Sequence, residues 1–456
     1  MAFWAEIKNI AFDEITQRAE EGCDVTGFRE KLRNCATYED YVKLLCELAA
    51  LVPRPEFPYD EPNEYEKIME LATKELPKLR APSDDEVYDR IYGAWLGRCA
   101  GCALGKPFET YPYMSGKDGE PGWVFVKRWF EEAGKWPISF YAPKISGARQ
   151  KYGIGVGCPE CLAENINTMC SDDDIRYMAI ALLVTERYGA DFGPLDVGEM
   201  WHSRLTQNQV CTAEYVAYKN YAFIKETGAS PEDMVEYVRT HHNPYREWIG
   251  AEIRIDGYAY AAAGDPMLAA KMAYADASFS HVRNGIYGAM FSAAAIAAAL
   301  AGASPRECVD AGLAVIPKTS RLYEDITKAV RLAESASTVE ELCDGLWREF
   351  GHYHPVHTNN NVAAVAASVI WGGGDFEKSI ATSVLCGWDT DCNGATVGSI
   401  AGALCGASGL PKKWTAPLRD TLYSEVVGFH PIKISECARR SFEVYKKIKA
   451  KRQEDN

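Results

Sequence analysis

Residues 387–406 have the sequence GWDTDCNGATVGSIAGALCG, and the rest of the chain is arranged around this stretch. Asp389 and Asp391 stand directly before an uncharged run in which glycine recurs at every fourth position. Positions four apart share one face of a helix, so the glycines predict a groove along one side. Because each interior glycine costs a helix about 1 kcal/mol relative to alanine, the groove indicates a closely packed second backbone. The simpler interpretation of the aspartates is helix N-capping.

A second glycine series with the same period supplies a partner for this groove. It consists of Gly93, Gly97, Gly101 and Gly105. Ser83–Glu86 precedes it as a capping box, and similar helix starts recur at Ser230 and Ser304. Alternating strand patterns with hairpin turns are nearly absent. We therefore predict an all-α fold, a compact multi-helix bundle in which the two glycine-lined helices approach closely.

Charge and composition exclude several classes of protein. The net charge of the 456-residue chain is −15, which argues against binding nucleic acid or anionic membranes through a basic surface. The uncharged run 284–304 is mostly Ala and Gly, which predicts a buried helix and not a membrane span. The first residues lack a signal-peptide pattern, and the 15 cysteines are scattered. We therefore predict reduced thiols and a cytoplasmic location.

The domain organisation follows from changes in composition. Residues 1–80 contain amphipathic segments interrupted by prolines, and we predict an N-terminal helical extension there, with 63–80 as its last helix. Residues 81–450 form the main helical domain. Within it, residues 110–168 are dense in Tyr, Trp, Pro and Gly and have poor helical periodicity. We predict a long inserted loop, which in compact domains is often a functional lid.

A second acidic cluster, Ser171–Asp174, lies directly before an apolar run with helical spacing. Its three adjacent carboxylates repel one another, and a bound cation would offset that repulsion more than a helix start does. If this helix start meets the one at Asp389 and Asp391, the two furnish an oxygen-rich site for two hard cations. The alternative interpretation is a pair of solvated helix starts capped by acidic residues.

Glu109 is a further candidate for chemistry. The glycine helix is expected to end before Pro107, because the residue preceding a proline avoids the helical region. Glu109 then lies just beyond a helix end, where it can reach a pocket. The alternative is an ordinary exposed glutamate on the surface.

Two other groups have weaker signals. Cys158 and Cys161 form a Cys-x-x-Cys pair, but without a second pair at zinc spacing we disfavour a zinc site or redox pair. Three histidines at 352–357 precede Asn359–Asn361. A polar loop at the rim of the pocket is favoured there over a metal site.

The motifs occur in an order that resembles one family. They are the first glycine series with Pro107 and Glu109, then Ser171-Asp172-Asp173, then Gly387-x-Asp389-x-Asp391 with a glycine-rich helix that leads to Gly409-Leu410-Pro411-x-x-Trp414. The chain resembles the ADP-ribosylglycohydrolase family, which includes the dinitrogenase reductase-activating glycohydrolases and the ADP-ribosyl-acceptor hydrolases. The resemblance covers roughly residues 88–420 and leaves 1–80 and 110–168 outside it.

This resemblance implies a compact all-α catalytic domain with a binuclear Mg²⁺ or Mn²⁺ centre. The metal ligands it implies are Ser171, Asp172, Asp173, Asp389, Asp391 and Cys392. The catalytic residues expected are Glu109, Asp173 and Asp391. The substrate-binding residues expected are Ser280 and His281, from a Ser-His element that the family shares, together with Asn361 and Gly387.

The chain departs from the family pattern at three positions. Cys392 replaces a hydroxyl ligand, and a thiol is a softer and poorer partner for Mg²⁺. Cys102 stands where the family often has Asp, and Asp174 stands where Thr is usual. These changes bear on the second metal, on the substrate class and on activity.

The resulting hypothesis is a metal-dependent hydrolase that cleaves an N- or O-glycosidic bond at the anomeric carbon of ADP-ribose or a related ribosyl compound. The expected substrate is an ADP-ribosylated protein or a small ADP-ribosyl compound, and no nucleic acid or membrane is expected as a partner. Two alternatives remain open. One is a binding or structural member of the same fold that has lost catalysis, and the other is a metal-dependent phosphohydrolase.

Overall fold

The computed structural model describes residues 6–454. In this range the chain is helical, with isolated β-bridges and no β-strand, so the predicted all-α class is confirmed. The predicted capping boxes are present at Ser83 and Ser304. The side-chain oxygens of Ser230 and Thr338 likewise accept a hydrogen bond from the backbone three residues on. Among the described residues, no helix is long and apolar enough to cross a membrane.

Residues 6–50 form a small helical unit with its own apolar cluster. Its helices are α1 (Ile7–Glu20), α2 (Phe28–Asn34) and α3 (Tyr38–Ala49). The cluster includes Ile10, Ile15, Leu44 and Leu48. The apolar faces of these three helices therefore pack against one another and form a cluster separate from that of the large domain.

The next helix, α4 (Tyr65–Leu71), packs on the core of the large domain and not on the N-terminal unit. The prediction of one helix over 63–80 was wrong beyond residue 71. Pro77 explains part of the difference, because it disfavours helical backbone at the residue before it. The extension predicted for 1–80 thus packs as a separate unit only up to about residue 50.

The large domain is built from the remaining helices. They are α5 (Asp84–Gly105), α6 (Gly122–Glu132), α7 (Ala148–Tyr152), α8 (Asp173–Tyr188), α9 (Pro194–Arg204), α10 (Thr212–Ile224), α11 (Pro231–Thr240), α12 (Asp256–Ala261), α13 (Pro266–Ala277), α14 (Arg283–Leu300), α15 (Pro305–Leu313), α16 (Arg321–Ser335), α17 (Val339–Phe350), α18 (Thr358–Gly372), α19 (Phe376–Leu385), α20 (Thr390–Cys405), α21 (Lys412–Thr415) and α22 (Ile434–Glu454). Short 3-10 turns lie at Lys106–Phe108, Pro159–Cys161, Gln207–Gln209, Ile249–Arg254 and Ala416–Leu418.

Helices α5 and α20 pack antiparallel at the centre of this domain, with their glycine faces together. A Cβ atom on Gly97 would lie 2.1 Å from the carbonyl oxygen of Gly398, and one on Gly101 would lie 1.8 Å from that of Gly394. These separations are too short for any side chain. The predicted close approach of two glycine-lined helices is therefore what the structure shows, and it fixes the register of the two helices.

Helix α14 holds most of the alanine-rich run that was predicted to be a buried helix. Its residues from Asn284 to Leu300 are all buried. Helices α12, α13, α15 and α20 pack against it. The small side chains allow these neighbours to pack closely, as the composition of the run indicated.

The segment 110–168 is only partly a loop. It contains α6, an 11-residue helix whose buried face includes Trp123, Val126 and Phe130. This three-and-four spacing is helical, so the prediction of a long loop was wrong at α6 and at the short α7. The indole nitrogen of Trp129 donates to the carbonyl oxygen of Pro143 at 3.0 Å, which ties the helix to the coil that follows. The segment is thus a packed layer of the domain.

Candidate metal centre

Three helix ends meet at one end of the α5–α20 pair. Helix α5 ends at Gly105, before Pro107 as predicted, and α20 begins beside it. The Thr390 hydroxyl donates to the carbonyl oxygen of Gly105 at 2.9 Å. The N-terminal end of α8 completes the group, because Nε of Arg98 in α5 donates to the carbonyl oxygen of Asp174 at 3.1 Å. The structure therefore brings the two acidic helix starts and the end of α5 together.

Glu109, Asp389 and Asp391 form the core of this acidic cluster. Each offers a carboxylate oxygen, and these oxygens all lie within 4.8 Å of one another. Asp389 and Asp391 are buried, and Glu109 is exposed. Asp389 occupies the N-cap position of α20, but its side chain makes no capping hydrogen bond to residues 6–454. The simple interpretation of Asp389 as a helix cap is thus not supported.

Like charges govern protonation in the cluster. Burial raises the pKa of Asp389 well above its usual value, and the charges of Asp391 and Glu109 raise it further. Packing around the carboxyl end of Glu109, followed by the charge of Asp391, raises the pKa of Glu109 as well. Because Glu109 is exposed at the surface, solvent screens part of its shift. Without a cation, Glu109 and Asp389 therefore favour the protonated form.

The three positions that depart from the family pattern face one another. Cys102 has its sulfur within 4.8 Å of a carboxylate oxygen of Asp174 and one of Asp172. Asp174 also forms such a group with Asp391 and Cys392. The structure thus places the carboxylate of Asp174 beside both Cys102 and Cys392.

Two cations lie beside the cluster. Lys106 forms an ion pair with Asp172. Although burial opposes it, the negative charge of Asp391 raises the pKa of Lys106, so its ammonium group stays charged. Arg98 is fully buried and is shared, since Nη2 lies 3.0 Å from Asp174 and Nη1 lies 3.0 Å from Asp256.

The predicted ligands of α8 already have protein partners. One carboxylate oxygen of Asp172 accepts a hydrogen bond from the backbone of Asp174 at 2.9 Å, which caps α8. The Ser171 hydroxyl accepts one from Arg176 at 3.0 Å. Asp173 is half-buried at the first position of α8. Metal binding by Ser171 or Asp172 would therefore replace existing hydrogen bonds. Metal binding by Asp173 stays a prediction, and it would not replace a hydrogen bond of this kind.

Asn361 fixes the start of α20. Its amide oxygen accepts hydrogen bonds from the backbone of Asp389 at 3.2 Å and from the side chain of Asn393 at 2.8 Å. Its amide nitrogen donates to the carbonyl oxygens of Pro355 and His357, both at 2.8 Å. Asn361 is fully buried and its amide is engaged at both ends. The structure thus gives it a positioning contact, and the substrate contact predicted for Asn361 stays a prediction.

Gly387 is required by the backbone. Its φ is 78°, and a Cβ atom would lie 2.7 Å from the carbonyl oxygen of Tyr113. The next residue, Trp388, stacks on Trp347 with ring centroids 4.8 Å apart. This turn aims the chain into α20, and a substrate contact at Gly387 stays a prediction.

Ser280 and His281 are fully buried beside a second charged group, which consists of Arg254 and Glu214. The Ser280 hydroxyl accepts from Arg254 at 2.7 Å and lies 2.8 Å from Nδ1 of His281. Burial, followed by the charge of Arg254, lowers the pKa of His281 well below its usual value, so the ring is neutral. Burial raises the pKa of Glu214 to about 7 against the opposing charge of Arg254, and the charge of Asp173 adds to the rise. Through Glu214, this group adjoins the acidic cluster.

The donor set fits a hard divalent cation. One carboxylate oxygen each of Asp174, Asp389 and Asp391 is buried and has no hydrogen-bond partner among residues 6–454. Such atoms normally have partners, and an unpaired buried charge is costly. Carboxylate oxygens are the ligands that Mg²⁺ and Mn²⁺ prefer. The site therefore lacks positive charge of the kind that a metal ion provides.

Comparison with known proteins identifies the family. A model of the ADP-ribosylglycohydrolase family matches residues 83–449. The chain belongs to the ADP-ribosylglycohydrolase family. It is therefore a member of a family of hydrolases that act on ADP-ribosylated substrates and are generally metal-dependent. The match begins at the capping residue of α5 and includes every residue of the acidic cluster.

Two other comparisons give less. No curated protein matches the chain. A solved structure described as an ADP-ribosylglycohydrolase-related protein complex is similar over 80% of this chain and 99% of that one, with 20% sequence identity and a TM-score of 0.49.

Sequence reasoning missed three charged residues around the cluster, namely Arg98, Lys106 and Glu214. Arg98 is the only charged residue between Arg90 and Lys106, and an isolated charge within an apolar helix is a signal for a buried partner. Lys106 could have been found from its place at the end of the same helix. Glu214 has no such signal, because it lies in the ordinary polar start of α10.

Proposed function

We propose that this chain hydrolyses the glycosidic bond at the anomeric carbon of an ADP-ribosyl group, or of a related ribosyl group. The substrate would be an ADP-ribosylated protein side chain or a small ADP-ribosyl compound. Family membership supports the reaction class. The observation that carries the proposal is the group of three carboxylates, Glu109, Asp389 and Asp391, with unpartnered oxygens on the two buried aspartates. An uncompensated acidic group at the surface end of a helix pair suits a metal-assisted hydrolase.

Asp173, Asp389 and Asp391 would hold Mg²⁺ or Mn²⁺, with Asp174 beside them, and a second ion would also draw on Asp172. When bound, the metal would supply the positive charge that orients the ribose hydroxyls and lowers the pKa of a water molecule. The Cys392 thiol is a poor ligand for Mg²⁺. A site with a thiol at this position would therefore favour Mn²⁺ over Mg²⁺ more strongly than a site with a hydroxyl there.

The protein groups act on a well-defined bond change. The oxygen of water forms a bond to the anomeric carbon, while the bond to the leaving nitrogen or oxygen breaks and the leaving group takes up a proton. Positive charge develops on the sugar in the transition state, and Asp389 and Asp391 would stabilise it. Glu109, whose carboxyl pKa is raised by its packing and by Asp391, would hold and transfer the proton or contact the substrate hydroxyls.

The test is turnover by the full-length protein. Peptides ADP-ribosylated on arginine or serine, and free ribosyl glycosides, are incubated with Mg²⁺, Mn²⁺ or a chelator, and released sugar and released phosphate are both measured. We expect a free anomeric sugar product that depends on the metal. Release of phosphate alone would indicate a phosphohydrolase, and metal binding without any turnover would indicate a member that only binds.

A matched pair of variants locates the reaction. Glu109→Gln should lower turnover by about 10²–10⁴-fold, because it removes a group that transfers protons. Asp118→Asn changes an exposed acidic residue nearby in sequence and should leave turnover unchanged. Equal activity of the two variants would contradict the role proposed for Glu109.

A further inference from the structure

Three cysteines lie together beside the acidic cluster. Sγ of Cys161 lies 3.4 Å from that of Cys158 and 3.3 Å from that of Cys170. The sulfurs of Cys158 and Cys170 are 4.0 Å apart. All three are free thiols, with Cys161 buried and the other two half-buried. The Cys-x-x-Cys pair seen in the sequence thus gains a third member nine residues further on.

The three sulfurs are arranged as ligands of one metal ion would be. A tetrahedral zinc ion with Zn–S bonds of about 2.3 Å holds its sulfurs about 3.8 Å apart. The observed separations of 3.3–4.0 Å lie around this value. The backbone supports the arrangement, because Cys161 N–H donates to the carbonyl oxygen of Cys158 at 3.0 Å and closes a tight turn. Both sulfurs of that turn therefore face Cys170.

The fourth position of such a site faces solvent. A carboxylate oxygen of Glu160 lies 3.7 Å from Sγ of Cys158. Glu160 and Cys170 line an open cleft together with Glu425 and His430. The cleft provides an entry path for an ion, and water or the Glu160 carboxylate can complete the coordination.

We propose that Cys158, Cys161 and Cys170 bind one Zn²⁺ ion, separate from the acidic centre. Each thiol loses its proton to solvent as its Zn–S bond forms, so loading releases up to three protons per ion. Thiolate ligands select zinc, whereas the carboxylates nearby suit Mg²⁺ or Mn²⁺. A disulfide would account for two of the sulfurs only, whereas the ion accounts for the position of all three.

The zinc ion would tie two parts of the domain together. Cys158 and Cys161 belong to the segment 110–168. Cys170 directly precedes the acidic residues Ser171–Asp174 at the start of α8. The same turn is held to the end of α5, because the backbone N–H of Gly157 donates to the carbonyl oxygen of Pro107 at 2.8 Å. The ion would thus act as a clamp between the inserted segment and the loop that leads into α8.

The proposal is tested on the full-length protein purified under reducing conditions. Metal analysis after dialysis against a weak chelator should give one zinc per chain. Replacement of zinc by Co²⁺ should give a thiolate charge-transfer band and the ligand-field bands of a tetrahedral ion. Cys158→Ser and Cys170→Ser should each lower zinc affinity by at least about 100-fold.

Two controls separate this site from the rest of the molecule. Cys46→Ser removes an exposed thiol elsewhere and should leave zinc at one equivalent. Asp389→Asn alters the acidic centre and should also keep the zinc, so failure of the proposed activity would not affect this result. Wild-type protein with little zinc and no thiolate band for Co²⁺ would overturn the proposal, even if the cysteine variants did not fold. So would a disulfide between any two of the three cysteines in freshly purified protein.

Discussion

Buried carboxylates occur in two regions of this molecule, and the two regions differ in how the charge is matched. Where α1 meets the large domain, Nη1 of Arg246 lies 2.7 Å from Glu14 and its Nε lies 2.9 Å from Glu21. Next to this pair, Nη2 of Arg321 lies 2.8 Å from Glu61 and 2.7 Å from Glu247. All of these side chains are at least nine-tenths buried. We call this group the interface network.

The acidic cluster at the end of α5 and α20 is matched less well. Lys106 and Arg98 pair with Asp172 and Asp174, while buried oxygens of Asp389 and Asp391 have no hydrogen-bond partner among the described residues. The two regions shift the pKa of Glu21 and that of Asp389 in opposite directions. In the interface network, Arg246 lowers the pKa of Glu21 against the effect of burial. In the acidic cluster, burial and then the charge of Asp391 raise the pKa of Asp389.

The difference separates structural charge from functional charge. A buried carboxylate with an arginine partner holds two parts of the chain together, and the opposite charge is supplied by the protein itself. A buried carboxylate without such a partner is costly when it is ionised in the free protein, and a bound cation offsets that cost. The first arrangement explains how residues 6–50 are held to the large domain, and the second supports a metal centre.

The largest loss of stability is expected on removal of Arg246, the arginine at the centre of the interface network. Arg246→Met leaves Glu14 and Glu21 buried with Arg18 as their remaining arginine partner, so we expect the free energy of unfolding to fall by about 3 kcal/mol, the lower end of the range for a broken buried pair. The matched control is Arg306→Ala, which removes an exposed arginine paired with Asp310 and should cost less than about 1 kcal/mol. Denaturant unfolding measures both. Similar small losses in the two variants would show that the network does not hold the N-terminal unit.

Alanine should be tolerated less well at the glycine contact between α5 and α20 than at other buried glycines in helices. Gly97→Ala places a methyl group 2.1 Å from the carbonyl oxygen of Gly398, and we expect a loss of about 1–3 kcal/mol because backbone must move. Gly345→Ala is the control, since its new methyl group meets only the end of the Leu332 side chain at 3.0 Å. That change should be neutral or stabilising, because alanine favours helix. If Gly97→Ala were equally harmless, close packing of α5 and α20 would not position the acidic cluster.

The acidic cluster should respond to loss of charge in the opposite direction from the interface network. In metal-free protein, Asp389→Asn removes an uncompensated charge and should raise the free energy of unfolding by on the order of 1 kcal/mol. The sign follows from the raised pKa of Asp389, since a group that binds its proton more tightly when folded loses stability as pH rises. Thermal unfolding at pH 6 and pH 8 with a chelator measures this, and the gain should be larger at pH 8. A loss of several kcal/mol would indicate a structural role for Asp389.

A smaller effect is expected at Glu20, which lies at the edge of the interface network. Burial, followed by the charge of Glu247, raises the pKa of Glu20 from its usual value to about 8. Its contribution to stability therefore falls as pH rises from about 5 to 8 and then levels off. Glu20→Gln cannot ionise, so its melting temperature relative to wild type should increase over that range. A difference that is constant with pH would contradict the raised pKa.

Much of the fold was predictable because it depends on local patterns. The glycine period identified the two central helices, and serine caps identified the starts of α5, α11 and α15. Pro107 placed the end of α5 correctly. Helix α6 was missed because the density of Tyr, Trp, Pro and Gly over the whole segment 110–168 obscured the helical spacing of its apolar residues.

The site was predictable only in outline. The acidic residues at 171–174 and 389–391 are visible as two helix starts, and the packing of α5 on α20 brings one of them to Glu109. Ion-pair and hydrogen-bond partners that lie far apart in the chain were not visible in the sequence. Examples are Lys106 with Asp172 and Asn361 with the backbone of Asp389, which join residues far apart in the chain. The third cysteine, Cys170, was missed for the same reason, because no second pair marks it in the sequence.

Calorimetric titration of metal-free protein with Mn²⁺ tests the central claim most directly. Wild-type protein should bind Mn²⁺ saturably and gain about 2.7 kcal/mol of stability at a free concentration of 100 times Kd. Asp389→Asn, although folded and at least as stable without metal, should show neither the binding heat nor the gain. Equal Mn²⁺ binding by wild type and Asp389→Asn, or none by wild type, would contradict the account of this cluster as a metal centre.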